Sequence, residues 1–318
     1  MKKLYFIFLI SVILIFYTKE INSFPIKPIK VIVGYEAGSS TDIAARVIFP
    51  ILERDLGQPI IIINKPGAAS SIAMREVYKE KPDGYTWGVS CSVSVFKLLG
   101  LMPLDHNDFS ILAIPSLGVA AVAVPAKSPF KSIKELVEYA KENPGKLRCS
   151  TTSKGAVHWM QAKNFEQAAG VKFNIIPNPG GASFIATQVG GGHVDLGVAS
   201  MAALRAQRDA GKLRFLAVMA ETRVPGFEEI PTLKENGYNA TYVSWQCYLA
   251  PKGLPSEIYE RLKQAFYRTA NSQEYRQWCL KNARIPTPEY IGEKAIKFLD
   301  EDREVQKPIL EEIGAIKK

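Results

Sequence analysis

The chain of 318 residues is 47% hydrophobic and 22% charged, with 40 Lys and Arg against 31 Asp and Glu. The apolar fraction excludes wholesale disorder, four cysteines exclude a disulfide scaffold, and a mean hydropathy of −0.02 excludes many membrane spans. The length suits about two domains, and the formal charge of +9 leaves nucleic acid, a membrane surface or an anionic ligand as partners.

Residues 1–23 open with Lys2 and Lys3, followed by an apolar run from Leu4 to Tyr17. Those 14 residues are too few for a spanning helix, which needs ~20, and fit the ~7–15 of a secretory signal. The expectation is export with cleavage after Ser23; an uncleaved membrane anchor is the alternative. No cysteine follows the run, which argues against a lipid anchor. Cleavage removes three lysines and one glutamate and leaves +7. Cys91, Cys149, Cys247 and Cys279 form no C-x-x-C and read as buried or inert thiols; their spacing assigns no disulfide pairing.

The mature chain then alternates short apolar runs with helical periods. Ile29 to Val33 predicts a strand. Ile43, Ala44, Val47, Ile48, Ile51 and Leu52 predict an amphipathic helix over 41–56, ended by Gly57 and kinked or broken at Pro50. The run from Ile60 to Ile63 predicts a buried parallel strand. Asp83-Gly84 predicts a turn into a strand over 85–89. Ser132 and Glu135 fit a capping box for a helix over 132–143, stopped by Pro144-Gly145. Further strands fall near 147–151, 172–177, 194–199 and 213–219. Ser256 reads as the cap of a helix to about 270, and Thr287-Pro288-Glu289 as another helix start. This alternation predicts an α/β fold with mostly parallel sheets, two rather than one. No linker separates the halves, which suggests strands that cross between them.

Much chemistry is missing. His106, His158 and His193 include no i, i+4 pair, so no helical zinc site is expected. There is no phosphate-binding G-x-x-x-x-G-K-[ST], no G-x-S-x-G and no G-x-G-x-x-G. Basic residues are scattered among acids rather than grouped with aromatics, against nucleic-acid binding. No cofactor, metal or catalytic residue is expected.

Small and hydroxyl-bearing loops at strand-to-helix junctions are the informative feature. Residues 34–42 read GYEAGSSTD, 64–71 read NKPGAASS and 178–183 read NPGGAS. Ser90 to Ser94 and Thr151 to Gly155 add two more. A helix N-terminus offers free N–H groups and partial positive charge, and several such loops at strand ends describe an anion-sized cleft. Asp42 reads as a cap rather than a ligand contact.

With these loops the chain resembles the Bug-type (TctC-like) solute-binding receptors of tripartite tricarboxylate transporters. Gly38, Ser40, Thr41, Asp42, Ala45 and Arg46 fit the family's P-G-G-S-T-D-x-x-A-R. Asn64, Pro66, Gly67 and Ala68 fit N-[KR]-P-G-A, and Pro82 to Thr86 matches P-D-G-Y-T. Asn143 to Leu147, Gly180-Gly181, Gly190-Gly191, Val194-Asp195, Gly211 to Arg214, Pro231-Thr232, Trp245, Ala250-Pro251 and Pro255 follow in order. The resemblance implies a type II periplasmic binding fold: two α/β lobes about crossing strands near 117–125 and 242–250. Lobe 1 would be 24–120 plus 248–318, and lobe 2 would be 121–247. It implies a periplasmic monomer that captures an organic carboxylate and delivers it to membrane permease subunits. A receptor that presents its ligand to a sensor kinase is the alternative; an exported enzyme on this fold is a remote one. The implied ligand residues are Gly38, Ser39, Ser40, Thr41, Ala68 and Ala69 in lobe 1, with Ser90 and Ser92. In lobe 2 they are Thr151, Thr152, Ser153, Gly180, Gly181 and Ala182. Tyr35 and Trp159 would form an aromatic wall. The family's distal-loop aromatic-Lys-Gly is Asn178-Pro179-Gly180 here. Without that lysine a small or aromatic carboxylate is expected rather than citrate.

Overall fold

The computed structural model describes residues 24–178 and 180–316; the expected signal segment lies outside them. The strands are β1 (Ile29–Val33), β2 (Ile60–Asn64), β3 (Thr86–Ser90), β4 (Phe109–Ala113), β5 (Ser116–Gly118), β6 (Ala120–Pro125), β7 (Arg148–Thr152), β8 (Asn174–Asn178), β9 (Leu196–Ser200), β10 (Leu213–Val218), β11 (Ser244–Trp245), β12 (Cys247–Pro251) and β13 (Arg284–Pro286). The helices are α1 (Ser40–Leu56), α2 (Ser71–Lys79), α3 (Ile133–Glu142), α4 (Val157–Ala169), α5 (Gly181–Gly190), α6 (Met201–Asp209), α7 (Ser256–Asn271), α8 (Gln273–Lys281) and α9 (Glu293–Glu312).

Two five-stranded sheets form two α/β lobes. The first has the order β2-β1-β3-β12-β4, with β1 parallel to both β2 and β3 and with β12 antiparallel to β3 and β4. The second has the order β10-β6-β9-β7-β8, with β7 parallel to β8 and β9 and with β6 reversed. Apolar clusters cover both faces of each sheet. Trp87, Tyr248 and Phe266 lie on one face of the first, and Ile32, Met74 and Leu249 on the other. Buried faces on both sides explain why the central strands read as continuous apolar runs; the run Ile60 to Ile63, expected to be buried, is instead the edge strand β2, with Ile61 and Ile63 exposed because no strand or helix covers that side. A third, small sheet, β11-β5-β13, joins the lobes. Its β5 and β11 are the crossing strands, paired antiparallel. This is the type II periplasmic binding architecture.

Local sequence explains the helix ends. Ser39 caps α1 by accepting from the Asp42 amide, and Gly57 ends it in the left-handed region at φ 72°. Pro50 does not break α1. It sits on the exposed face, where water can serve the Arg46 carbonyl that loses its amide donor. Ser132 caps α3, accepting from Glu135 N at 3.2 Å, while the Glu135 carboxylate reaches the Lys131 amide.

Two expected helix starts differ. At α7 the cap is Pro255, and Ser256 is the first helical residue without a side-chain cap bond. Thr287 opens no helix; α9 begins at Glu293. Its hydroxyl instead donates to the Ile114 carbonyl at 2.6 Å, and its amide to that of Pro115 at 3.0 Å. The residue is consumed in fastening β13 to the hinge. The four cysteines are free; Cys149, Cys247 and Cys279 are buried, and Cys91 is half-buried.

Candidate functional site

Because β1, β2 and β3 are parallel, the loops that follow them leave one edge of the first sheet. Side-chain contacts tie the three loops together. The Tyr35 hydroxyl accepts from the Cys91 amide and lies against Ser92 Oγ, both at 3.3 Å. Thr41 Oγ1 is 3.2 Å from Cys91 Sγ. The buried hydroxyls of Ser70 and Ser90 are 2.8 Å apart. Burial pushes the Tyr35 phenol well up, so it stays neutral.

Asp42 organises the turn before α1. Its carboxylate accepts from Gly38 N at 2.9 Å, Asn64 Nδ2 at 2.9 Å and Arg46 Nε at 2.8 Å. Burial pushes the carboxyl up, but these donors, Arg46 foremost, outweigh it and hold it down at about 2. With its acceptors turned inward and its charge paired with Arg46, Asp42 repels an incoming anion less than a free carboxylate would. Gly38 holds φ at 82°, a region glycine reaches without strain. Ser39 takes the Asp42 amide, so the Ser40 and Thr41 amides are left directed out of the helix end.

The second loop is strained. Ala68, Ala69 and Ser70 hold φ at 43°, 50° and 73°, at a cost of roughly 1–2 kcal/mol each. Successive amides in such turns form a concave surface that suits an anion. Ala68 and Ala69 are exposed, while Ser70 is buried and anchors the turn.

In the second lobe the parallel pair β7 and β8 brings two loops together. Asn178 Nδ2 donates to the Thr151 carbonyl and, at 3.3 Å, to Ser150 Oγ; its Oδ1 accepts from Gly180 N at 3.0 Å. Ser153 Oγ donates to the Asn178 carbonyl at 3.4 Å. Thr151 Oγ1 donates to the Thr152 carbonyl at 3.0 Å, and Thr152 Oγ1 is buried without a partner. Gly181, at φ 71°, begins α5, with Ala182 half-buried behind it.

Of the two aromatics expected to wall a cleft, Tyr35 lies with the first-lobe loops. Trp159 does not stand open; it is 7% exposed and packs with Val95, Tyr242, Ile309 and Leu310. Those partners come from both lobes, so Trp159 is taken up in lobe-to-lobe packing. His158 is buried beside it, its Nδ1 2.7 Å from Gln161 Oε1. The sequence placed Asn64, Ser70 and Asn178 in the informative loops without marking their supporting roles, and it did not mark the hinge residues Ser116, Gln246 and Arg284. Isolated polar residues at strand ends carry no periodic signal.

Among the described residues no group of His, Cys, Asp and Glu could hold a metal ion. The arrangement suits capture of an anion by backbone dipoles and hydroxyls.

Comparison with known proteins agrees. The tripartite tricarboxylate transporter family receptor model matches residues 44–315. A Cupriavidus necator protein described as "UPF0065 protein in gbd 5′ region" is 33% identical over 305 residues, 94% of this chain and 91% of its own length. A TctC solute-binding protein from Polaromonas superposes with a TM-score of 0.82 at 31% identity, over 91% of this chain and 99% of that one. An R. palustris protein solved with adipate has a TM-score of 0.69 at 24% identity, over 91% and 97%.

Proposed function

This chain belongs to the receptor family of tripartite tricarboxylate transporters, and from that premise we infer that it captures a small organic carboxylate between its lobes and delivers it to the permease subunits in the membrane. The observation that carries the reading is the Asp42-organised turn, which leaves the Ser40 and Thr41 amides free at the N-terminus of α1. A carboxylate there gains charge-assisted hydrogen bonds and the favourable end of the helix dipole.

In this reading Gly38, Ser39, Ser40, Thr41, Ala68 and Ala69, with Ser90 and Ser92 behind them, hold one carboxylate. Thr151, Thr152, Ser153, Gly180, Gly181 and Ala182 meet the far end when the lobes close. Each lobe carries part of the site, so ligand favours the closed state by its differential affinity. The hinge sheet allows closure because few strands cross it. Export by residues 1–23 places the receptor in the periplasm.

Native mass spectrometry of gently purified mature protein tests this. A co-purified mass of a small carboxylic acid, lost on mild unfolding, is expected. Retention of a sugar or amine instead overturns the reading.

A further inference from the structure

The crossing strands attach to the two sheets at matching places. β4 leads into β5 and β5 into β6, while β11 leads into β12. In each sheet these attached strands stand to one side, and the opposite edges are β2 and β8. Each edge strand is three strand spacings, ~14 Å, from the nearest attached strand, β12 or β6. The loops after β2 and β8 therefore lie farthest from the hinge along their sheets, and a rotation at the hinge moves them most.

A helix starts from each of these loops, and each carries in its first turn a large apolar side chain that the core does not take up. α2 buries Ser71, Ala73, Met74 and Val77 and leaves Ile72 45% exposed. α5 buries Ile185, Ala186 and Val189 and leaves Phe184 43% exposed. Each side chain lies over the glycine of its own loop. A Cβ on Gly67 would stand 2.6 Å from Ile72 Cδ1, and one on Gly180 would stand 2.7 Å from Phe184 Cβ. Gly67 is also required by its φ of 129°. Gly180 is not: its φ of −79° is open to any residue, so what its missing side chain provides is a seat for Phe184. A single exposed apolar side chain is ordinary. A matched pair is not, when there is one per lobe, at the same place in each sheet, seated on the same kind of loop.

We propose that Ile72 and Phe184 are the two halves of an apolar clasp, exposed while the lobes stand apart and packed against each other across the mouth of the cleft when they close. This rests on the closure reading above and not on which acid is bound. Burying both side chains on closure favours the closed state through apolar contact that the ligand does not itself supply. The clasp thereby raises ligand affinity by raising the population of the closed state. The seat on Gly180 fixes the direction of Phe184 before closure, which reduces the ordering that closure requires.

Two measurements test it. Mature protein carrying Ile72→Cys together with Phe184→Cys is oxidised with diamide without ligand, and its disulfides are identified by peptide mass spectrometry. Two cysteines join only where their Cβ atoms come within about 4.5 Å. A disulfide between positions 72 and 184 is expected. The control is Ile72→Cys with Lys212→Cys, whose second site is exposed at the opposite end of the second sheet; it should give about tenfold less. No disulfide between 72 and 184, or no more than in the control, overturns the clasp and leaves both side chains for a membrane partner. Calorimetry with adipate and benzoate as probes then compares Ile72→Ser, Phe184→Ser and the double variant, with circular dichroism confirming the fold. Each single substitution is expected to weaken the acid that binds about fivefold. The double variant should lose little more than the weaker single, because either substitution empties the clasp. Unchanged affinity in either single variant, or losses that multiply in the double, overturns it. A wild-type protein that binds neither acid, nor any other carboxylate, overturns the function proposed above, while the disulfide still decides the clasp.

Discussion

Gly34 and Ser70 pass so closely that a Cβ on Gly34 would lie 2.2 Å from the Ser70 Cβ. That approach brings the loop after β1 against the strained turn after β2, and the Ser70 hydroxyl onto Ser90. Gly34→Ala must push the two loops apart. The expected cost is about 1–3 kcal/mol in urea unfolding, together with loss of carboxylate binding by calorimetry. Intact affinity would show that the loop junction does not shape the site.

Asp42 makes a pH prediction at the site itself. Its folded-state carboxyl is held at about 2, below its ordinary 3.8. The folded state therefore binds fewer protons than the unfolded one in that interval. The stabilisation is complete above about 4 and is lost as pH falls towards 2. Asp42→Asn should unfold more easily at pH 7, and its disadvantage against wild type should shrink on acidification. A disadvantage that stays constant from pH 7 to pH 2.5 contradicts the assignment.

Asp302 gives the opposite sign. It is buried on α9 and accepts from Trp245 Nε1 at 2.9 Å, Ser94 Oγ at 2.8 Å and Gln306 Nε2 at 2.6 Å. Burial pushes its carboxyl up to about 6 despite these donors. The folded state here holds its proton longer than the unfolded one. The Asp302 contribution is most favourable below about 4 and is lost as pH rises through about 6. Asp302→Asn removes that dependence. Between pH 4 and pH 7 the stability difference should move in favour of the asparagine variant by about 2 kcal/mol. Urea titrations of both proteins across that range check it; a difference that moves towards wild type would refute it.

How much of this was legible in sequence depended on whether the signal was local. The Asp42 turn and the Gly57 stop are local, and α1 could be placed within a residue, although its cap is Ser39, which the sequence offered only as a ligand residue. The crossing strands were foreseeable from apolar runs without a linker between halves. Trp159 was misjudged because its position at the start of α4 says nothing about Ile309 and Leu310, over a hundred residues on, which cover it. Thr287 was misjudged because a cap and a strand fastener use the same hydroxyl, and only the partner, the Ile114 carbonyl, distinguishes them. Arg284 gave no signal, since β13 has three residues and no periodicity to read.

Thr41 offers a test that spares the fold. Its hydroxyl meets Cys91 Sγ at 3.2 Å, a weak partner, so Thr41→Val removes a donor while keeping the shape. Stability should change by less than about 1.5 kcal/mol, with carboxylate affinity about tenfold weaker. Unchanged affinity would remove Thr41 from the ligand set.

The central claim is that the first-lobe loops hold a carboxylate, and thermal-shift screening tests it most directly. The mature protein would be heated with a panel of mono-, di- and tricarboxylates and, for each acid, its neutral amide. The account predicts that at least one acid raises Tm by several degrees at a hundredfold excess over its Kd. Its amide should leave Tm unchanged, and Thr41→Val should reduce the shift. A panel in which no acid outperforms its own amide would contradict the account.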